Sequence, residues 1–207
     1  MRPDPQAPLA AVSRETEQKL KQYQELVVKW QKAVNLVSPD SLPDLWSRHI
    51  IDSAQLSSFV SRETKTIFDW GSGAGFPGLV LAMMRPEIAI HLVESDEKKS
   101  IFLQTVSRET KTPVTVHRVR IESFDPSVIP DVITARALAA LPKLLEWALP
   151  WAAKNPDLLL LLPKGAKADE EIAEARQSFD FRLEKHPSQT SREAAILAIR
   201  GLRSVNN

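Results

Sequence analysis

The run Asp69-Trp70-Gly71-Ser72-Gly73-Ala74-Gly75-Phe76-Pro77-Gly78 constrains the fold more than any other stretch of the chain. It follows an apolar pair, Ile67-Phe68, that reads as a buried strand, and it leads into a helical segment over 79–84. A strand, a glycine-rich turn and a helix make a nucleotide-binding corner. Glycine lets the backbone turn tightly and approach a ligand, and the helix N-terminus offers free N–H groups. Pro77 suits a first helical turn, where its missing N–H costs nothing.

Two ligand readings compete for this loop. Gly73-Ala74-Gly75-Phe76-Pro77-Gly78 satisfies the dinucleotide fingerprint G-x-G-x-x-G, and Glu94 lies at the distance expected of a ribose-binding acid. The run begins earlier, however, with an acid at the strand end: Asp-x-Gly-x-Gly-x-Gly. That order resembles motif I of the class I S-adenosylmethionine-dependent methyltransferases. A carboxylate there suits a cofactor carrying an ammonium beside a sulfonium and would repel a pyrophosphate. A glycine turn with no ligand is the bland alternative.

The rest of the composition mostly excludes. Cysteine is absent, which removes disulfides, thiolate zinc sites and cysteine nucleophiles together. Four histidines without paired spacing propose no metal site. No apolar run approaches membrane-spanning length, and no secretory signal follows Arg2, so a cytoplasmic protein is expected. The net charge of +1 supplies no overall attraction for nucleic acid, so an RNA partner would need a local basic face.

Along the chain, residues 1–12 read as a flexible lead-in, 13–62 as a helical extension, and 63–207 as the main domain. Ser13 is a helix cap, and Leu20, Tyr23, Val27, Trp30 and Val34 recur at helical spacing. A second helix, capped by Ser41, carries Arg48, His49, Asp52 and Ser53. His49 and Asp52 stand one turn apart, a spacing that more often marks a structural contact than a catalytic dyad.

From residue 66 the pattern alternates. Strands are predicted at 66–70, 88–94, 113–118, 130–135, 157–163, 179–185 and 193–200, with helices near 77–85, 97–109, 141–152 and 167–177. Repeated βα units imply a mostly parallel α/β sheet covered on both faces. The last two strands lack a helix between them and should form an antiparallel hairpin at one edge. Ligands in such sheets lie beyond the carboxyl ends of the strands. Glu94 is therefore placed to meet a ribose, Arg120-Ile121-Glu122 an adenine, and Arg136 and Lys164 the substrate. A helix-capping role fits Ser95 and Asp96 better than Glu94.

Val-Ser-Arg-Glu-Thr occurs three times, at 12–16, 60–64 and 106–110, and Thr190-Ser191-Arg192-Glu193 echoes it in part. The copies fall at a helix start, a loop and a helix end, so they are not a repeated structural unit. GTT-TCA-CGT-GAA-AC encodes the pentapeptide, reads identically on both strands, and resembles the centromere-like site of bacterial chromosome partition. Partition sites inside the gene would account for the repeats.

Taken together, these stretches resemble the ribosomal RNA small subunit methyltransferase G family, also called glucose-inhibited division protein B. The likeness runs from about residue 15 onward. It rests on Trp30 with Asn35-Leu36, Arg48-His49-x-x-Asp52-Ser53, the Gly71–Gly78 loop and Lys98-Lys99-x-x-Phe102-Leu103. It continues through Arg120-Ile121-Glu122, Ala135-Arg136-Ala137 and Lys164-Gly165. Trp70 departs from the small apolar residue usual after the motif I acid. The resemblance implies a Rossmann-like, seven-stranded methyltransferase fold and S-adenosyl-L-methionine as cofactor. It also implies N7 methylation of a guanine in 16S ribosomal RNA or the small-subunit particle, by a monomer. By the same resemblance, Asp69, Gly71, Ser72, Gly73, Gly75, Phe76, Glu94, Ser95, Arg120, Ile121, Glu122 and Arg136 would hold the cofactor. Arg136 and Lys164 would position substrate, and Arg48, His49, Asp52, Ser53 and Pro77 would shape the pocket. An NAD(P)-dependent oxidoreductase and a non-catalytic RNA-binding protein are the competing classes.

Overall fold

The computed structural model describes residues 7–9 and 12–205. Its centre is one seven-stranded sheet, formed by β1 (Thr66–Trp70), β2 (Ala89–Val93), β3 (Thr115–His117), β4 (Val132–Ala135), β5 (Leu159–Lys164), β6 (Phe179–Pro187) and β7 (Ala195–Ser204). The spatial order is β3-β2-β1-β4-β5-β7-β6. Strands β1 to β5 pair in parallel, and β7 lies antiparallel between β5 and β6. The expected edge hairpin is therefore present, with its second strand tucked inside. The order reverses between β1 and β4, and ligands bind outside the strand ends at such a switch point.

Six α-helices accompany the sheet among the described residues: α1 (Arg14–Gln31), α2 (Asp52–Ala54), α3 (Gly78–Met84), α4 (Glu97–Glu109), α5 (Leu141–Lys154) and α6 (Ala168–Ala175). Most of the flexible lead-in expected over 1–12 lies outside the described residues; 7–9 form a 3₁₀ turn. Pro77 sits just before α3 rather than in its first turn. The second predicted helix is a composite, with a π-helical stretch Trp46–Ile51, the single turn of α2, and a 3₁₀ stretch Gln55–Phe59. Here side chains compete for the backbone. The Ser47, Ser53 and Ser58 hydroxyls and the Gln55 amide donate to carbonyls three or four residues back.

Two cores flank the sheet, and strand alternation assigns residues to them. Ile67 of β1 faces a cluster with Leu20, Tyr23 and Val27 of α1, Leu79 of α3 and Phe102 of α4. Phe68 and Trp70 face the other side, against Leu144, Leu145 and Trp151 of α5. The α1 stripe anticipated from sequence is thus fully buried at Leu20, Tyr23 and Val27. Trp70 fits this second core at 1% exposure, although its indole N–H has no hydrogen-bond partner.

The three pentapeptide copies occupy three different settings, as expected. In the first, the Ser13 hydroxyl accepts from Thr16 N at the start of α1. The second lies before β1, and the third ends α4 at Thr110. Among the described residues no helix is long and apolar enough to cross a membrane, and no cluster of three metal-ligating side chains occurs.

Candidate active site

A cavity of about 830 Å³ opens at the carboxyl ends of β1, β2 and β4. The glycine loop forms its floor through Gly71, Ser72, Gly73 and Phe76. Glu94 and Ser95 line the end of β2, and Arg120, Ile121 and Glu122 the loop after β3. Arg48, His49 and Arg136 close the remaining side. Twelve residues singled out from sequence therefore meet on one cavity. Val37 and Trp147 also line it and carried no sequence signal for the site; Leu36 and Lys99 line it too, and the family resemblance included them without a role there.

The loop needs its glycines here. Gly71 and Gly73 have φ of 61° and 55°, in the left-handed region. A Cβ on Gly71 would also lie 2.5 Å from Leu138 Cδ1. Glu94 clamps the loop, because Oε2 accepts from Gly73 N at 2.8 Å and Oε1 from Asp96 N at 2.8 Å. A carboxylate has about four acceptor positions, so two remain for a diol. Asp96, not Glu94, caps α4.

Asp69 departs from its expected role. It is 0% exposed and is not among the cavity-lining residues. Its Oδ1 accepts from the Thr134 hydroxyl at 2.8 Å and its Oδ2 from Gly78 N at 3.2 Å. Strand alternation turns its side chain toward α3, so it fixes the loop from below. Burial pushes its carboxyl up to about 6, against the hydrogen bonds from Thr134, Ser72 and Gly78 that pull it down. Gly75, Pro77 and Ser53 likewise do not line the cavity; the Ser53 hydroxyl donates to His49 O at 2.6 Å.

Arg136, at the end of β4, draws the second predicted helix onto the site. Its Nη2 donates to His49 Nδ1 at 2.7 Å and its Nη1 to Arg48 O at 3.3 Å, while Asp52 Oδ2 lies 3.5 Å from Nη1. The guanidinium also lies over the Phe76 ring, 5.1 Å from its centroid, and His49 stacks on that ring at 5.1 Å. His49 and Asp52 are thus joined through Arg136 rather than to each other. Burial, then the charges of Arg136 and Arg48, hold His49 down at about 3, so the imidazole is neutral.

Tyr23 was legible only as part of an apolar stripe. Its hydroxyl donates to Ala74 O within the loop, and its ring lies 5.1 Å from Phe76. Lys164 does not face this cavity. Its Nζ donates to Glu171 Oε2 at 2.7 Å and Ala139 O at 2.8 Å, with only 9% of the side chain exposed. It lines a second cavity of about 470 Å³, which shares Arg136, Ala137, Leu138 and Gly165 with the first.

The family model for rRNA small subunit methyltransferase G (GidB) matches residues 16–201. The chain belongs to that family. It is 47% identical over 198 residues to the ribosomal RNA small subunit methyltransferase G of Parvibaculum lavamentivorans, covering 94% of this chain and 87% of that one. It is also 47% identical over 192 residues to the protein of that name from Paramagnetospirillum magneticum, covering 92% and 91%. Among solved structures, the mitomycin 7-O-methyltransferase MmcR superposes with a TM-score of 0.60 at 14% identity, covering 96% of this chain and 73% of that one. The ribosomal protein L11 methylase of Lactobacillus delbrueckii superposes with 0.57 at 15% identity, covering 75% and 79%. These likenesses establish a class I methyltransferase fold. Membership of the GidB family sets aside the oxidoreductase and the non-catalytic protein, and the enzyme is a methyltransferase.

The cavity suits a sulfonium nucleoside cofactor. Glu94 retains acceptor capacity beside the glycine loop, and Val93, Val119 and Ile121 give an apolar wall for a purine. The cationic groups Arg48 and Arg136 stand at the same cavity, where a cofactor carboxylate would find them.

Proposed function

We propose that this chain transfers a methyl group from S-adenosyl-L-methionine to N7 of one guanine in 16S ribosomal RNA, working in the cytoplasm as a monomer on RNA or on the small-subunit particle. The observation that carries this reading is the clamp between Gly73 and Glu94, at a cavity whose remaining side is closed by Arg48, His49 and Arg136. When bound, the cofactor supplies an electrophilic methyl whose bonding electrons stay with sulfur.

Guanine N7 presents an in-plane lone pair and loses no proton on methylation. No side chain has to act as a strong base, so positioning and field supply the rate. His49 matches that demand, because a neutral ring donating no proton to the site serves as a shaped wall. Arg136 has the fork geometry to meet a guanine O6 or a phosphate. Glu94 would hold the ribose hydroxyls, and Arg120 to Glu122 would flank the adenine. Asp69, Gly75 and Pro77 act by shaping the loop.

The test is transfer of labelled methyl to small-subunit RNA from a strain lacking this gene. The expected product is labelled 7-methylguanosine; label in another nucleoside, or none, overturns the assignment.

A further inference from the structure

The second cavity has a polar end and apolar walls, and the polar end is built around Asp52. Two donors converge on one oxygen of that carboxylate: Thr190 Oγ1 donates to Oδ1 at 2.6 Å and Gln55 Nε2 at 2.8 Å, while Ser188 Oγ stands further off at 3.4 Å and lies 3.0 Å from Thr190 Oγ1. The Gln55 amide is itself fixed, since its Oε1 accepts from Gln189 N at 2.9 Å. The other oxygen, Oδ2, has Arg136 Nη1 beside it at 3.5 Å, a long contact for a charge-assisted pair. Asp52 keeps 16% of its side-chain surface exposed and lines this cavity and not the cofactor cavity. Oδ2 is therefore an oriented acceptor with spare capacity. Leu138, Pro163 and Ile196 give apolar walls around it.

A guanine carries N–H donors at N1 and N2 on one edge, with O6 next to N1 and N7 beyond O6 on the adjoining edge. Enzymes that modify a base take it out of the stack into a pocket, reading its Watson–Crick edge by hydrogen bonds and its faces by apolar contact. We infer that the second cavity receives the target guanine, with Asp52 Oδ2 accepting from N1–H and N2–H and Arg136 donating to O6. This deepens the functional reading above and rests on it. With N1 and N2 turned to Asp52 and O6 to Arg136, N7 faces the wall that the two cavities share. An adenine, which presents an acceptor at N1, meets the carboxylate unfavourably. The carboxylate also stands near a base that acquires positive charge on methylation, and so favours the product charge.

The test turns on the direction of the Asp52 network. In Asp52→Asn the Thr190 and Gln55 donors keep the amide oxygen at the Oδ1 position, which leaves –NH₂ facing the guanine donors. Once the methylated position is mapped, RNA carrying a single inosine there removes only the N2 amino group. The wild-type enzyme should prefer guanosine over inosine by roughly ten- to hundredfold in kcat/KM, as loss of a hydrogen bond to a charged group predicts. In Asp52→Asn that preference should fall to about one, with binding of S-adenosylhomocysteine by calorimetry unchanged within about threefold. Equal wild-type methylation of guanosine and inosine overturns the proposal without recourse to a variant. So does an Asp52→Asn protein that binds S-adenosylhomocysteine normally and keeps the wild-type preference. If the wild type methylates no guanine at all, the functional reading fails and takes this inference with it.

Discussion

Arg136 Nη2 and His49 Nδ1 are 2.7 Å apart, and the chemistry of arginine fixes what passes between them. A guanidinium has donors only, so Nδ1 must accept, and the imidazole proton resides on Nε2. His49 Nε2 then donates to Ser41 Oγ at 2.9 Å, and Ser41 donates to Ser38 O at 2.7 Å. One direction of hydrogen bonding runs from the end of β4 to the segment before the π-helical stretch.

Arg136→Lys should disconnect this chain. A lysine has a single ammonium that cannot reach His49, Arg48 O and Asp52 together. Methyl transfer is expected to fall by about a hundredfold or more, and cofactor affinity by less than about tenfold. Turnover within threefold of wild type would refute the assignment of Arg136.

The pH dependence of stability should separate two buried groups by sign. His49 titrates at about 3 in the fold, so unfolding takes up its proton below its ordinary value of 6.5. Its contribution to stability is present above about 6.5 and is lost as pH falls toward 3. Asp69 titrates at about 6 when folded, so the native state holds its proton longer than the unfolded chain does. Its contribution favours the fold at low pH and is lost as pH rises from about 4 to 6, an effect of about 3 kcal/mol. Relative to wild type, Asp69→Asn should gain stability as pH rises across 4 to 6, and His49→Gln should lose it. Denaturant midpoints measured over pH 4 to 7 check both slopes.

Tyr23→Phe removes the hydroxyl that satisfies Ala74 O and leaves a buried carbonyl unpaired. A loss of about 1–3 kcal/mol in folding stability is expected. Cofactor affinity should fall as well, because Ala74 belongs to the cavity floor. Calorimetric binding that matches wild type would separate α1 from control of the loop.

Glu94→Gln exchanges one carboxylate oxygen for an amide that opposes either Gly73 N or Asp96 N. Cofactor affinity should drop by roughly ten- to hundredfold, as for a lost charge-assisted bond. The far-ultraviolet spectrum should be unchanged, since both strands and α4 keep their own ladders.

Lys164 and Glu171 form a part-buried pair with 9% and 22% of their side chains exposed. Lys164→Met alone leaves a carboxylate without its partner and should destabilise by about 3–5 kcal/mol. Adding Glu171→Gln, which still accepts from Leu141 N, should recover most of that loss. If the recovered double variant methylates normally, Lys164 positions loops and not substrate.

The sequence alone carried the local determinants of this protein. An alternation of strand and helix segments from residue 66 marked the sheet, and helical spacing marked α1. The close glycines of 71–78 marked the cofactor corner, because positive φ and close approach admit little else. A cation following β4 at Arg136, and an acid following β2 at Glu94, were placed by the rule that ligands lie at strand ends.

Tertiary structure decided what those side chains touch. Arg136 meets His49 across 87 positions and Thr190 meets Asp52 across 138, so both contacts depend on how whole elements pack. Asp69 points beneath the loop rather than into the cavity, and Lys164 is neutralised by Glu171 on the following helix. The serines that turn the second predicted helix into π and 3₁₀ stretches act through hydrogen bonds that compete with the backbone, which apolar periodicity does not register. Propensity and periodicity are properties of neighbours in the chain. Whether a charge is free or already paired is a property of neighbours in space.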